Sequence, residues 1–439
     1  MLEKLRTIFQ VPELRRRILF TLSLFVVYRL GEHMPTPGVN AAALAGAFKS
    51  QASGLFGLYD MFVGGAFSRA TVFALGIMPY ISASIILQLL GAVVPYFEKL
   101  RKEGEEGQKK LTQWTRYGTV IIAIVQSLGY SIFLMNLGAS QGLTVVPNPG
   151  LAFYLSTIIT QTAGTILVMW LGEKITEFGI GNGISLIIFV NILGGLPNRL
   201  VQAVDSFKGG SLSLIQIAFI VVLLVAVVAA VIVMTQATRK IPVQYAKRMV
   251  GRKMYGGQNT HIPLRVNTAG VIPIIFASSI MLLPSTVMGF LPPDSPVTGV
   301  LQALGPGTWL HGLLYALIII FFTYFYTAVV LNPTDLAENI RKYNGFIPGI
   351  RPGRHTAEYI DRVLTRITLP GAVFLAAVAV LPDVIIGAFH VQAVALGGTS
   401  VLIVVGVALD TLQQIESHLL MRHYEGFVKK GRIRGRSRM

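Results

Sequence analysis

The sequence predicts an all-α polytopic membrane protein with ten transmembrane helices, on three observations. Hydrophobic residues make up 53% of the chain and charged residues 13%, roughly half the charge of a soluble globular chain. Runs of about eighteen or more apolar residues recur, each long enough to cross a bilayer core as a helix. Lys and Arg collect in alternate polar stretches between those runs, as orientation in a membrane requires.

The elements follow in order. Met1 to Arg17 is polar and basic, and the first apolar run leads into further spans, so no cleavable signal peptide is expected. The first span lies near 18–36. Next comes GLFGLYDMFVGGAFSRA (Gly54 to Ala70), which is Gly-rich, carries Asp60 and Arg69, and is too short to cross alone. Two readings are open for it: a re-entrant, cavity-lining segment, because irregular backbone at membrane depth must be buried in protein or face water, or an ordinary loop. Spans two to five lie near 73–94, 117–137, 152–171 and 183–203. In the GIGNG turn before the fifth, Asn182 is suited to cap the span and the glycines to a tight turn. Beyond a short loop at 205–211, spans six to ten lie near 212–235, 269–290, 311–331, 367–387 and 394–414, and a basic tail fills 415–439.

With the N-terminus inside, the inner stretches hold 32 of the 37 Lys and Arg, which puts both termini in the cytoplasm. The largest inner loops are 236–268 and 332–366. The first carries seven Lys or Arg and no acid, among them Lys247, Arg248, Arg252 and Lys253. Gly251, Gly256 and Gly257 let its tip fold back. The second contains GIRPG, where Gly349, Pro352 and Gly353 favour a tight turn that keeps Arg351 outward. Five spans precede the loop at 205–211 and five follow it, so residues 1–204 and 212–414 form two halves of inverted topology, the plan of many transporters and channels.

Much chemistry is excluded. No acid is assigned to the middle of a span, which weakens the alternative of an inverted-repeat secondary transporter, because ion-coupled transporters usually bury an ionisable group there. The chain has no GxxxxGK[ST] loop, no HExxH and no cysteine, so nucleotide hydrolysis, metal sites, thiol catalysis and disulfides are not expected, and no cofactor is. The chain is not expected to be an enzyme.

Pro79 falls in the second span, and Pro273 with Pro284 in the seventh, where each is expected to interrupt and loosen its helix. The same segments carry Ser82, Ser84, Ser278 and Ser279, suited to helix contact or a wet cavity. One such span in each half suggests two helices that separate; ordinary helix packing explains the same residues.

FVGGAFSRATVFALGIMPYISASIILQLL, KEGEEGQKKLTQWTRYG, WLGEKITEFGIGNGIS, YAKRMVGRKMYGGQNTHIPLRVNTAGVIPIIFASSI and GFIPGIRPGRHTAEYIDRVLTRITLPGA all resemble the bacterial SecY family, across essentially the whole chain. The resemblance implies the central channel subunit of the Sec translocon in the bacterial inner membrane. It implies two five-helix halves clasped by SecE, with SecG as a further small subunit, and a lateral gate formed chiefly by spans two, seven and eight with span three nearby; Pro79, Ser82, Ser84, Pro273, Ser278 and Ser279 fall on spans two and seven. It implies a plug helix at Leu58, Tyr59, Asp60, Met61, Phe62, Val63, Gly64 and Gly65. By position it puts the pore ring on Ile77, Ile81, Ile184, Ile188, Ile275 and Ile403. It makes Lys247, Arg248, Arg252, Lys253 and Arg351 docking residues for the ribosome, ribosomal RNA included, and for the SecA motor. The implied substrates are unfolded preproteins and signal sequences, the latter released sideways into the phospholipid bilayer, and the energy comes from SecA, the ribosome and the proton-motive force.

Overall fold

The computed structural model describes residues 11–48, 55–141, 144–210, 213–245, 248–250, 253–255, 259–290, 296–305, 308–389 and 398–430. These residues are mostly helical, and each of the ten predicted spans overlaps a helix. In chain order the helices are α1 (Pro12–Gly31), α2 (Ala41–Phe48), α3 (Leu55–Phe62), α4 (Met78–Val93), α5 (Pro95–Lys102), α6 (Glu105–Gln141), α7 (Leu151–Phe178), α8 (Gly183–Lys208) and α9 (Leu214–Gln236). Four strands follow: β1 (Thr238–Tyr245), β2 (Arg248–Val250), β3 (Lys253–Tyr255) and β4 (Asn259–Arg265). Then come α10 (Ile272–Met281), α11 (Leu283–Phe290), α12 (Pro296–Ala303), α13 (Trp309–Val330), α14 (Pro333–Lys342), β5 (Gly345–Phe346), α15 (Arg354–Phe389) and α16 (Gly398–Lys430). Among the described residues six helices are long and apolar enough to cross a membrane alone, and the bent pair α4–α5 makes a seventh.

The chain forms two compact units, the first drawn from Met1–Ser50, Tyr59–Gly195 and Val407–Met439. Here α7 packs against α1, α4 and α6. Gly164 on α7 lies so close to the Val72 carbonyl that a Cβ would overlap it, so helix and irregular chain meet backbone to backbone. At the other end of α7 the GIGNG turn is tied down from both chain ends. The Arg17 guanidinium donates to the Gly179 carbonyl at 3.3 Å, the Ile180 amide to Thr21 Oγ1 at 3.2 Å, and the Gly181 amide to Gln414 Oε1 at 2.9 Å. Asn182 Oδ1 accepts from the amides of Ile184 and Ser185, the capping expected of it. Nearby, Arg116 on α6 grips Glu173 on α7 through both carboxylate oxygens, at 3.0 and 2.8 Å. Those hydrogen bonds push the guanidinium above its ordinary value.

The second unit is drawn from Gln51–Leu58 and Leu196–Gly406. Within it α13 packs between α10 and α15. Helix α9 exposes its apolar side chains almost all round, Ile215 at 81% and Val222 at 68% among them, and Val231 is its one buried residue. Such a helix needs lipid or a partner helix as its solvent.

The structure corrects the reading of the prolines. Pro79 and Pro273 sit in the first turns of α4 and α10. A proline there removes an amide that has no intrahelical partner anyway, so these residues start shortened helices and interrupt none. The interruption in the seventh span comes at Leu282, between α10 and α11, just before Pro284. The all-α expectation also needs an addition. The loops 236–268 and 332–366 contribute a three-stranded sheet in the order β4, β1, β5, and β2 with β3 forms a separate hairpin.

Candidate functional site

The segment between α3 and α4 is irregular and almost wholly buried. Phe62, Val63, Ala66, Phe67, Ala70, Phe73, Ala74, Leu75 and Ile77 are each at most 6% exposed. Backbone in such a place needs internal partners for its polar groups, and neighbouring side chains supply them. Tyr130 on α6 donates its hydroxyl to the Phe67 carbonyl at 2.7 Å, and Tyr59 donates to Leu75 at 3.2 Å. Gln161 on α7 donates to the Thr71 carbonyl at 2.8 Å and to Thr36 Oγ1 at 2.9 Å. Asn191 on α8 donates to the Phe62 carbonyl at 3.0 Å. Within the segment, Asp60 accepts from the Ser68 amide at 2.8 Å and Arg69 folds back onto the Gly64 and Gly65 carbonyls. Gly64 and Gly65 have φ of +70° and +84°, so the turn closing α3 requires glycine. Pro35 pairs with Thr71 in an isolated bridge, which anchors the strand-like stretch behind α1.

This pinned segment runs directly into the start of α4, where Ile77 is 1% and Ile81 2% exposed. In the same unit Ile184 and Ile188 lie one turn apart at the start of α8, half-buried and buried respectively. In the other unit Ile275 on α10 and Ile403 on α16 are 5% and 0% exposed. Those two helices touch: a Cβ on Gly406, three residues after Ile403, would overlap Val271, four residues before Ile275. Of the predicted gate residues, Pro79 is buried and Ser82 and Ser84 half-buried on α4, while Pro273, Ser278 and Ser279 are buried on α10. The Ser278 hydroxyl shares a hydrogen bond of 2.8 Å with Tyr315 of α13. The predicted plug residues Tyr59, Phe62, Val63 and Gly64 are buried and Asp60, Met61 and Gly65 half-buried; Leu58 belongs to α3.

The loops at 236–268 and 332–366 form one body. β1 runs antiparallel to β4, pairing Thr238 with Arg265 and Gln244 with Asn259, and its far edge pairs with β5 through Gln244 and Phe346. Alternation along β1 sends Ile241 and Val243 inward. They join Leu264, Ile340, Ile347, Ile360 and Leu364 in a single small core. Arg239, Lys240, Arg265, Arg341 and Lys342 remain exposed around it. At the tip of the second loop Gly349 and Gly353 take φ of +79° and +107°, and the Thr356 hydroxyl donates to the Arg351 carbonyl at 3.0 Å, which leaves the Arg351 side chain exposed. In the β2–β3 hairpin Arg248 pairs with Tyr255 and Lys253 with Val250. Lys247, Arg252, Gly251, Gly256 and Gly257 lie outside the described residues.

Sequence reasoning missed Tyr130, Gln161, Asn191 and Gly164. The one available signal was a lone polar or glycine residue within otherwise apolar helices.

A SecY family model matches residues 71–412. The chain is similar to the protein translocase subunit SecY of Aquifex aeolicus, 44% identical over 98% of this chain and 100% of that one. It is similar to that of Escherichia coli K12, 46% identical over 97% and 96%. Among solved structures, a protein conducting channel superposes with a TM-score of 0.66 at 18% identity, covering 92% of each chain. A SecY protein whose plug domain stabilises the closed state of the translocation channel and maintains a membrane seal gives 0.63, at 18% identity and 92% of each chain. Sec61 in the canine ribosome–channel complex gives 0.62, at 18% identity and the same coverage.

Proposed function

The chain belongs to the SecY family and is the protein-conducting channel subunit of the Sec translocon, a transport channel and not an enzyme; from that premise we propose how its residues divide the work. The channel lies in the bacterial inner membrane with both termini in the cytoplasm, the orientation that the placement of Lys and Arg favours. Two inverted halves, 1–204 and 212–414, enclose the path of an unfolded preprotein; residues 205–211 join them, although 205–208 still belong to α8 and so shorten the expected hinge loop. Ile77, Ile81, Ile184, Ile188, Ile275 and Ile403 form the waist. Apolar side chains at a constriction exclude water and ions by dewetting, and they offer a passing peptide no hydrogen bond to stall it. The helices whose first turns hold Pro79 and Pro273 border the lateral gate, with Ser82, Ser84, Ser278 and Ser279 as small polar contacts. Hydrophobic segments leave there because lipid is the better solvent for them.

Residues Leu58 to Gly65 are the plug. The supporting observation is the buried, side-chain-satisfied segment that links them to Ile77. The exposed Arg351 tip takes the SecA motor, while Lys247, Arg248, Arg252 and Lys253 take the ribosome, as the ribosome-bound complex of a structural neighbour suggests. SecE and SecG supply the remaining membrane partners, and the uncovered face of α9 is suited to a helix or to lipid.

Deleting residues 58–67 tests the plug reading. The protein is expected to remain inserted, because the lost stretch contains no spanning helix, and its resting ion conductance in planar bilayers should rise. Disappearance of the whole protein from the membrane would mark the segment as structural.

A further inference from the structure

The turn that closes α3 rests on a buried charge. Glu32 follows the last turn of α1, is 1% exposed, and pairs through Oε2 with Arg29. Arg29 also reaches α8, donating to the Val190 carbonyl at 2.8 Å. The next residue on α8, Asn191, donates from Nδ2 both to the Tyr28 hydroxyl at 2.9 Å and to the Phe62 carbonyl at 3.0 Å. Because Tyr28 accepts there, its own proton is left for the Glu32 carboxylate beside it. A chain of contacts therefore runs from Arg29 through Glu32, Tyr28 and Asn191 to the backbone of the turn.

The chain is not fully satisfied. Glu32 Oε1 and Asn191 Oδ1 are buried without a hydrogen-bond partner. Both face Gly64, where a Cβ would lie 2.9 Å from Glu32 Oε1 and 3.3 Å from Asn191 Oδ1. Burying an ion pair seldom adds stability over an apolar pair of the same shape, so general stability does not account for this one. Two unpartnered acceptors oppose the packed state, and each would gain water if the turn moved away. The arrangement holds the turn firmly and yet favours release.

We propose that the Arg29–Glu32 pair, acting through Tyr28 and Asn191, is the latch that keeps the Phe62–Gly65 turn in its resting place, which makes Glu32 a positioning residue for the seal. The idea that this turn belongs to the seal rests on the plug reading above; the latch itself can be tested apart from it.

The chain has no cysteine, so Val63→Cys, at a site 1% exposed, places a single thiol on the turn. A control, Ile187→Cys, lies on α8 at 0% exposure. Each full-length variant is reconstituted in liposomes and labelled with a membrane-impermeant maleimide. Adding Glu32→Gln should speed labelling at position 63 by about tenfold, the change in opening expected when one charge-assisted hydrogen bond is lost. Position 187 should stay protected, and Glu32→Asp should restore part of the protection at 63. Unchanged labelling at 63, or equal acceleration at 63 and 187, would overturn the latch. Faster labelling at 63 without increased resting conductance would leave the latch standing and remove the plug reading instead.

Discussion

Replacing Ile81 or Ile403 with Asn is expected to make the resting channel leak ions and to relax its discrimination against defective signal sequences. Both isoleucines are buried, at 2% and 0% exposure. An amide placed there has no protein partner of its own and draws water into an apolar constriction. Burying it unpaired costs about 1–3 kcal/mol, a penalty that falls on the closed state alone if the open waist is wet. That corresponds to roughly a fivefold to 150-fold shift towards opening. Single-channel recording measures the leak, and export of a preprotein with a crippled signal sequence measures the discrimination. Ile81→Val, which stays apolar, should change neither. Asn variants with unaltered conductance and full discrimination would remove these residues from the waist.

Arg252→Glu combined with Lys253→Glu should abolish salt-sensitive ribosome binding and leave membrane insertion intact. The loop at 236–268 carries seven basic residues and no acid. A phosphate-rich surface is the partner such a loop suits, and the affinity of contacts of this kind falls steeply with salt. Reversing two charges removes two phosphate contacts and adds two repulsions. Arg351→Glu should chiefly impair SecA-driven export, because its tip is a short rigid turn set by Gly349 and Gly353. The β1–β5 pairing joins the two loops around one core, and the exposed Arg351 lies outside it, so Arg351→Glu leaves Ile241, Val243 and Leu264 in place. Ribosome flotation reads the first effect and ATP-dependent preprotein translocation the second. Normal ribosome binding by the double variant at physiological salt would assign both loops to SecA.

The shared core of those loops shows where sequence reasoning stops. Apolar runs of about twenty residues identify spans because one physical demand, burial in lipid, acts on every residue. Asn182 and the glycines of GIRPG were legible for a similar reason: capping and tight turns are local. The pairing of Gln244 with Phe346 has no local signature, and a strand such as β5, two residues long, has no periodicity to read. Pro79 and Pro273 look like interruptions in the sequence because proximity to a helix start cannot be told from an interior position within a continuous apolar run. The irregular segment after α3 was legible through its glycines. Its fastening by Tyr130, Gln161 and Asn191 was not, since each is a single polar residue on a helix far away in the chain.

A preprotein stalled in transit tests the central claim most directly. A photo-crosslinking residue is placed at Ile77, at Ile275, and at Val222 on the exposed face of α9, where the side chain is 68% exposed. If the polypeptide passes through the proposed waist, the stalled chain crosslinks at positions 77 and 275 and not at 222. Absence of crosslinks at 77 and 275, or equal yield at all three positions, would contradict a path lined by these isoleucines.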